Sequence, residues 1–206
     1  IYTLSLHDAL PILVIEKKPP LKELLLQAGF DSIAAHGWQD LSLRKLASSC
    51  KVSHVASYRH FKNKDDLMFA LVPIISKHFA DFLKESEKED QAPREKILQL
   101  ALQFINYSQV HANFFDFLFL SKYSLATQND DTGQMELEKR VASFDYNKEK
   151  IEEFIQSLDG DYDFNQVFMH LGSFVFGISL LVRQKIYPAD KKELTSLIQT
   201  TLAFYQ

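Results

Sequence analysis

Apolar residues recur at intervals of three and four along almost the whole chain, the spacing of one face of an α-helix. One segment, FNQVFMHLGSFVFGISLLVRQKI (164–186), is apolar nearly all round and therefore demands cover on more than one side. Only six glycines and six prolines interrupt the 206 residues, too few for the turns of a sheet protein. The sequence thus predicts an all-α fold. Leu21, Leu24, Leu25, Ala28 and Ile33 mark a first helix with a stop at Gly37. LSLRKLASSC (41–50) reads as a short helix with Ser42 as N-cap, KV (51–52) as a tight turn, and Ser53 as the cap of a second short helix to about His60. Asn63 caps a longer helix to about Glu85.

The charged stretch KESEKEDQAP (84–93) is the best internal boundary, with Pro93 opening the next helix. Further helices are expected over 94–110, over 113–123, from a capping box at Asp131 and Gln134 to about Leu158, over 164–186 behind Asp163, and over 190–205 behind Asp190 and Glu193. Cys50 is the one cysteine, which excludes an internal disulfide and fits a cytoplasmic protein. No apolar run is read as approaching the ~20 residues of a membrane span, so no membrane partner is expected. The opening IYTLSLHDALPILVIEKKPP lacks the basic start of a signal peptide. Its YTLSLHDALPI resembles translated sequencing-adaptor read-through. That origin and a genuine short arm both stay open, and residues 1–18 are set apart as an extension.

Two short helices joined by a tight turn form a helix-turn-helix. Between Leu41 and Lys64 lie Arg44, Lys45, Lys51, Arg59, Lys62 and Lys64, with no acid among them. The seventeen other basic residues face all 27 acids, so the remainder of the chain stands at −10 against a total of −4. Such segregation suits nucleic acid, because each neutralised phosphate releases counterions. A solvated basic face is the bland alternative, and the helix-turn-helix pattern weighs against it.

LSLRKLASSCKVSHVASYRHFKNKDDL resembles the DNA-binding domain of the TetR (tetracycline-repressor) family of transcriptional regulators, and LKELLLQAGFDSIAAHGW before it resembles that family's first helix. The form VSHVASYRHF is closest to the branch with a WHG-type C-terminal domain, and NFFDFLFL and HLGSFVFGISLL are similar to its later helices. There are departures: Lys51 stands where the family usually has Gly, a position that favours positive φ; Ser57 stands where Leu or Pro is usual; Val55 replaces a smaller residue.

The resemblance implies a DNA-binding domain over 19–66 and a helical effector-binding and dimerisation domain over 67–206. Ser42, Arg44, Ser53, His54, Val55, Ser57, Tyr58, His60 and Lys64 are the expected DNA-binding residues. Ser42 and Lys64, at helix N-termini, would meet phosphates, as would the Tyr58 hydroxyl. His54, Val55 and Ser57 would meet base edges in the major groove. His60 suits a phosphate or a packing role equally. Leu43, Leu46, Ala47, Val52, Ala56 and Phe61 read as core, and Cys50 as a small packed hydrophobe rather than a redox group.

Phenylalanines crowd the later helices, and most read as core. An effector pocket for a small apolar or aromatic ligand would draw on Phe104, Tyr107, His111, Phe115, Phe119, His170 and Phe174. The last two helices are expected to pair with those of a second copy through Phe168, Ser173, Val175, Gly177 and Leu181. No phosphate loop, CxxC, HExxH or GxSxG is present, so neither enzyme chemistry, a cofactor nor a metal is expected. The reading is a one-component regulator acting as a repressor on operator DNA. A helical adaptor for proteins or a small helical enzyme is the alternative.

Overall fold

The computed structural model describes residues 19–88, 90–123 and 142–206. The N-terminal extension and the expected capping box at Asp131 and Gln134 lie outside them. The described residues hold α1 (Leu21–His36), α2 (Leu43–Ser49), α3 (His54–Tyr58), α4 (Lys64–Lys84), α5 (Pro93–Val110), α6 (Ala112–Phe115), α7 (Ala142–Gln156), α8 (Phe164–Arg183) and α9 (Lys191–Leu202). A π-helical turn, Asp116–Leu120, continues α6.

Local chemistry sets the boundaries. Asn63, Asp163 and Asp190 each accept a backbone N–H three residues on, at 2.8 to 3.0 Å. Pro93 opens α5, where its missing N–H leaves no bond unmade. Gly37, at φ 80°, ends α1. At the end of α8, Lys185 takes φ 59° while the Ile186 N–H reaches back to the Leu181 carbonyl at 2.9 Å.

Two buried clusters hold the helices together. The first joins Leu25, Ile33, Leu43, Leu46 and Phe61 of α1 to α3 and their loops to Leu71, Ile75 and Phe79 of α4, Tyr107 of α5 and Phe114 and Phe115 of α6. It crosses the 66/67 division, which falls inside the first turn of the unbroken α4. The second cluster joins Ile97, Leu98 and Ile105 of α5 to Phe154 of α7, Val167, Leu171 and Val182 of α8 and Leu194 and Ile198 of α9. Arg94 ties the end of α9 to this unit, donating to the carbonyls of Leu202 and Tyr205.

Two expectations are corrected on α8. By length and composition this helix is long and apolar enough to cross a membrane. Its Val167, Leu171, Val175, Ser179 and Val182 form a stripe buried against the chain's own core, which is also how a soluble core helix passes that test. Val175, expected in a contact between copies, lies on this inner stripe, packed against the chain's own core. Met169, Ser173 and Leu181 face outward. A Cβ built on Gly172 or Gly177 meets nothing within 4 Å.

Candidate nucleic-acid interface

The site begins with the turn between α2 and α3. Ser42 caps α2 by accepting the Lys45 N–H at 3.2 Å, and Ser53 caps α3 by accepting the Ala56 N–H at 3.2 Å. Between them, the Val52 N–H reaches the Ala47 carbonyl at 2.9 Å and the Lys51 N–H reaches Ser48 at 3.1 Å, a Schellman closure of α2. This closure needs a left-handed residue, and Lys51 supplies it at φ 56°. A side chain there costs about 1–2 kcal/mol, whereas glycine loses about 0.5–1 kcal/mol in chain entropy. Lys51→Gly is therefore expected to raise stability by about 0.5–1 kcal/mol, read as a higher denaturation midpoint. A lower midpoint would contradict the strain.

Only five residues make up α3, and they present one exposed face. His54, Val55, Tyr58 and Arg59 fall at i, i+1, i+4 and i+5, and all four are exposed, Val55 at 66% and Tyr58 at 54%. Ser57 lies opposite. It is 0% exposed and its hydroxyl donates to the His54 carbonyl at 2.8 Å. The expectation of a base contact from Ser57 is thus corrected: a hydroxyl spent on its own helix, with no surface left, has nothing to offer a groove. Ala56 is only half-buried, so the inward residue of the helix is Ser57, with Phe61 below it.

The basic residues divide into two kinds. Arg44, Lys51, Arg59 and Lys62 are exposed, and among the described residues their side chains make no hydrogen bond or ion pair. Lys45 instead donates to the Asp40 carbonyl at 3.1 Å. Lys64 donates to the Gln39 carbonyl at 2.6 Å, with its ammonium 6.0 Å from the Trp38 ring centroid. Burial pushes the Lys64 pKa down, against the pull of Asp40 and Asp65. Ser42 is half-buried and His60 exposed. The sequence reading placed Lys51, Arg59 and Lys62 only as charge; the structure leaves them exposed and without a partner among the described residues. Cys50 is half-buried, its Sγ 3.8 Å from the Leu24 carbonyl, between α1 and α2.

The residues expected around an effector are only partly brought together. Phe104, Tyr107, His111, Phe115 and Phe119 join one aromatic cluster with Phe79, Phe82 and Phe176. Phe79 lies 4.6 Å from Tyr107 and 5.5 Å from Phe104 and Phe119, centroid to centroid. Phe115 stacks on Phe176 at 5.8 Å under the Arg183 guanidinium, which pairs with Asp116. His170 and Phe174 do not join it. Phe174 packs in the second cluster, and His170 bonds the Tyr205 hydroxyl at 2.6 Å near the end of α9. The sequence reading missed Phe79 and Phe82 of α4, although Ile75, Phe79 and Phe82 keep helical spacing.

Residues 25–71 match the family described as bacterial regulatory proteins, tetR family. The fatty acid metabolism regulator protein of Bacillus subtilis (strain 168) is 26% identical over 83 residues, 40% of this chain and 43% of that protein. The match therefore spans less than half the length of this curated relative. A TetR family protein of Vibrio parahaemolyticus, solved as a transcriptional regulator, superposes with a TM-score of 0.68 at 17% identity, over 90% of this chain and 98% of that one. The fatty acid degradation regulator of Bacillus halodurans superposes with a TM-score of 0.55 at 17% identity, over 90% of this chain and 94% of that one. The fold is that of these all-helical regulators, with the helix-turn-helix at the N-terminal end.

Proposed function

We propose that this chain, whose residues 25–71 match the tetR family of regulators and whose fold is theirs, is a one-component transcriptional repressor that binds operator DNA in the cytoplasm. One observation carries this most: His54, Val55 and Tyr58 of α3 are exposed, and Arg59 at its end, with Arg44, Lys51 and Lys62 of the same helix-turn-helix, has no partner among the described residues. An exposed short helix with uncommitted cations in the residues around it in sequence suits a major groove flanked by phosphates. His54 and Val55 read base edges. Arg44, Lys51, Arg59, Lys62, the Tyr58 hydroxyl and the N-terminus of α2 at Ser42 hold the backbone. Ser53 caps the reading helix, His60 stands beside it, and Lys64 adds its charge from α4.

The outward side of α8, with Phe168 and Ser173, Gly177 and Leu181, together with α9, receives the same surface of a second copy. Two half-sites need two reading heads. The DNA-binding unit comprises residues 19–66 and the effector and dimer unit residues 67–206, with a C-terminal half of the WHG type. An apolar ligand enters among Phe104, Tyr107, His111, Phe115 and Phe119, and displaces the aromatic packing that sets the angle of the heads. The two fatty acid regulators among the relatives make a fatty acyl chain the first ligand to try.

Selection of binding sites from random duplexes, followed by titration in salt, tests this reading. Arg59→Ala is expected to lower the slope of log K against log salt by about one unit and to weaken all sequences alike. Val55→Ala is expected to keep the slope and shift base preference, at about 1–3 kcal/mol for a lost contact. Failure of the wild-type protein to bind duplex DNA at low salt would remove the reading.

A further inference from the structure

The helix α6 is a single turn, fixed to α1 by Asn113, which donates to the Ala34 carbonyl at 2.9 Å. At its start, His111 meets His78 of α4 edge to face, ring centroids 4.8 Å apart and planes at 88°. Phe30 of α1 and Phe114 of α6 close on the same His78 imidazole at 5.6 and 5.1 Å, and Phe82 closes on His111 at 5.3 Å. The Tyr107 hydroxyl of α5, fully buried, lies 3.2 Å from His78 Nδ1. Two imidazoles thus line the seam where α1 and α4 meet α5 and α6, and among the described residues neither is hydrogen-bonded to a carboxylate.

The charges around the pair are few. From α4 come Asp81 and Glu85, and Asp81 is already held by Lys77 at 2.6 Å. From α1 the facing group is Phe30, from α5 Tyr107 and from α6 Phe114. Burial pushes the Tyr107 phenol up, so it stays neutral.

We propose that His78 and His111 form a proton-operated latch, which holds α6 against α4 and α1 while both imidazoles are neutral and frees it on acidification. Burial lowers the pKa of both rings, and for His78 the neighbouring His111 lowers it further. Asp81 and Glu85 pull the other way without offsetting this. Because the folded values lie below the ordinary 6.5, the closed seam has its full stability above about pH 6.5 and loses it as pH falls through the folded values. The second proton enters against the charge of the first, with aromatic rings rather than water on the packed sides of both imidazoles.

The latch bears on the proposed DNA binding, but it can be read without DNA. Trp38 is the sole tryptophan and sits in the head, edge-on to Tyr123 at 5.8 Å just beyond the π turn. Its emission therefore reports the contact between head and body. Full-length wild type and the double variant His78→Gln, His111→Gln are compared from pH 7.5 to 5.0 by Trp38 emission and thermal midpoint. Wild type is expected to shift in both below pH 6.5, with the double variant flat over the same range. Histidine C2–H resonances of wild type, assigned with the single variants, should titrate below 6.5 for both rings. Binding to a fluorescent random-sequence duplex should weaken more on acidification in wild type than in the double variant. This comparison cancels any acid response that both proteins share. A double variant with the wild-type acid response overturns the latch. So does an ordinary pKa for either imidazole in wild type, a result that stands even where the variant fails to fold. No DNA binding at any pH defeats the proposed function instead, while emission still decides the latch.

Discussion

Gly177→Arg is expected to leave the protomer folded and to abolish the proposed dimer. A Cβ at Gly177 has open space, so a long side chain there disturbs nothing in its own subunit. The residue lies in α8, whose inner stripe is already satisfied by α5, α7 and α9. Only 28% of the most apolar stretch of this helix is buried within the chain, and Met169 and Leu181 remain exposed on it. A second copy seated on that side would bring its helix against Gly177 and Ser173, and an arginine placed there enters a dry interface without a partner charge. Two heads on one duplex act through effective concentration, so losing the dimer should weaken operator binding on the order of 10²–10⁴-fold. Circular dichroism should match wild type while sedimentation reports a monomer. A wild-type monomer at micromolar concentration rules out the proposed assembly, and a dimeric variant moves the interface off this face.

Phe115→Ala should have the largest effect on stability of any single aromatic truncation in the first cluster. Phe115 is fully buried and touches Phe104, Phe119 and Phe176 at 5.7, 4.9 and 5.8 Å between centroids. Arg183 lies over the ring at 5.1 Å, so truncation also uncovers one side of the Arg183–Asp116 pair. Deleting a buried phenylalanine costs about 3–5 kcal/mol where the surroundings cannot collapse. Rings from α5, the π turn and α8 surround this one, and three elements cannot all close on one gap. The urea midpoint should fall with an unchanged slope. A loss below about 1 kcal/mol would show that the cluster repacks. That plasticity would itself favour ligand entry at this place.

Local signals made the framework legible. Ser42, Ser53, Asn63, Asp163 and Asp190 act as caps because a short polar side chain before an apolar run has one obvious use. Gly37 ends α1 for the same kind of reason, and the resemblance to TetR regulators marked Lys51 as a left-handed position. What stayed hidden was phase. With five residues, α3 has too little length for periodicity to separate Ala56 from Ser57, and a serine gives no hydrophobic clue that it points inward. In α8 nearly every residue is apolar, so the pattern could not say which stripe, that of Val175 or that of Met169 and Leu181, faces the chain's own core. The seam of His78 and His111 was out of reach for another reason: thirty-three positions separate them, and only the packing of α4 on α5 brings them together.

The first buried cluster takes side chains from both sides of the expected boundary, and this limits how such a regulator can diversify. Leu25, Ile33, Leu46 and Phe61 share one interior with Phe79, Tyr107, Phe114 and Phe115. A reader of new sequences made by transplanting the first sixty-odd residues onto another body would carry half an interior and meet a mismatched other half. Exchange is therefore gentler at the exposed positions His54, Val55, Tyr58 and Arg59, where the proposed alphabet of recognition can be rewritten with little effect on the buried interior.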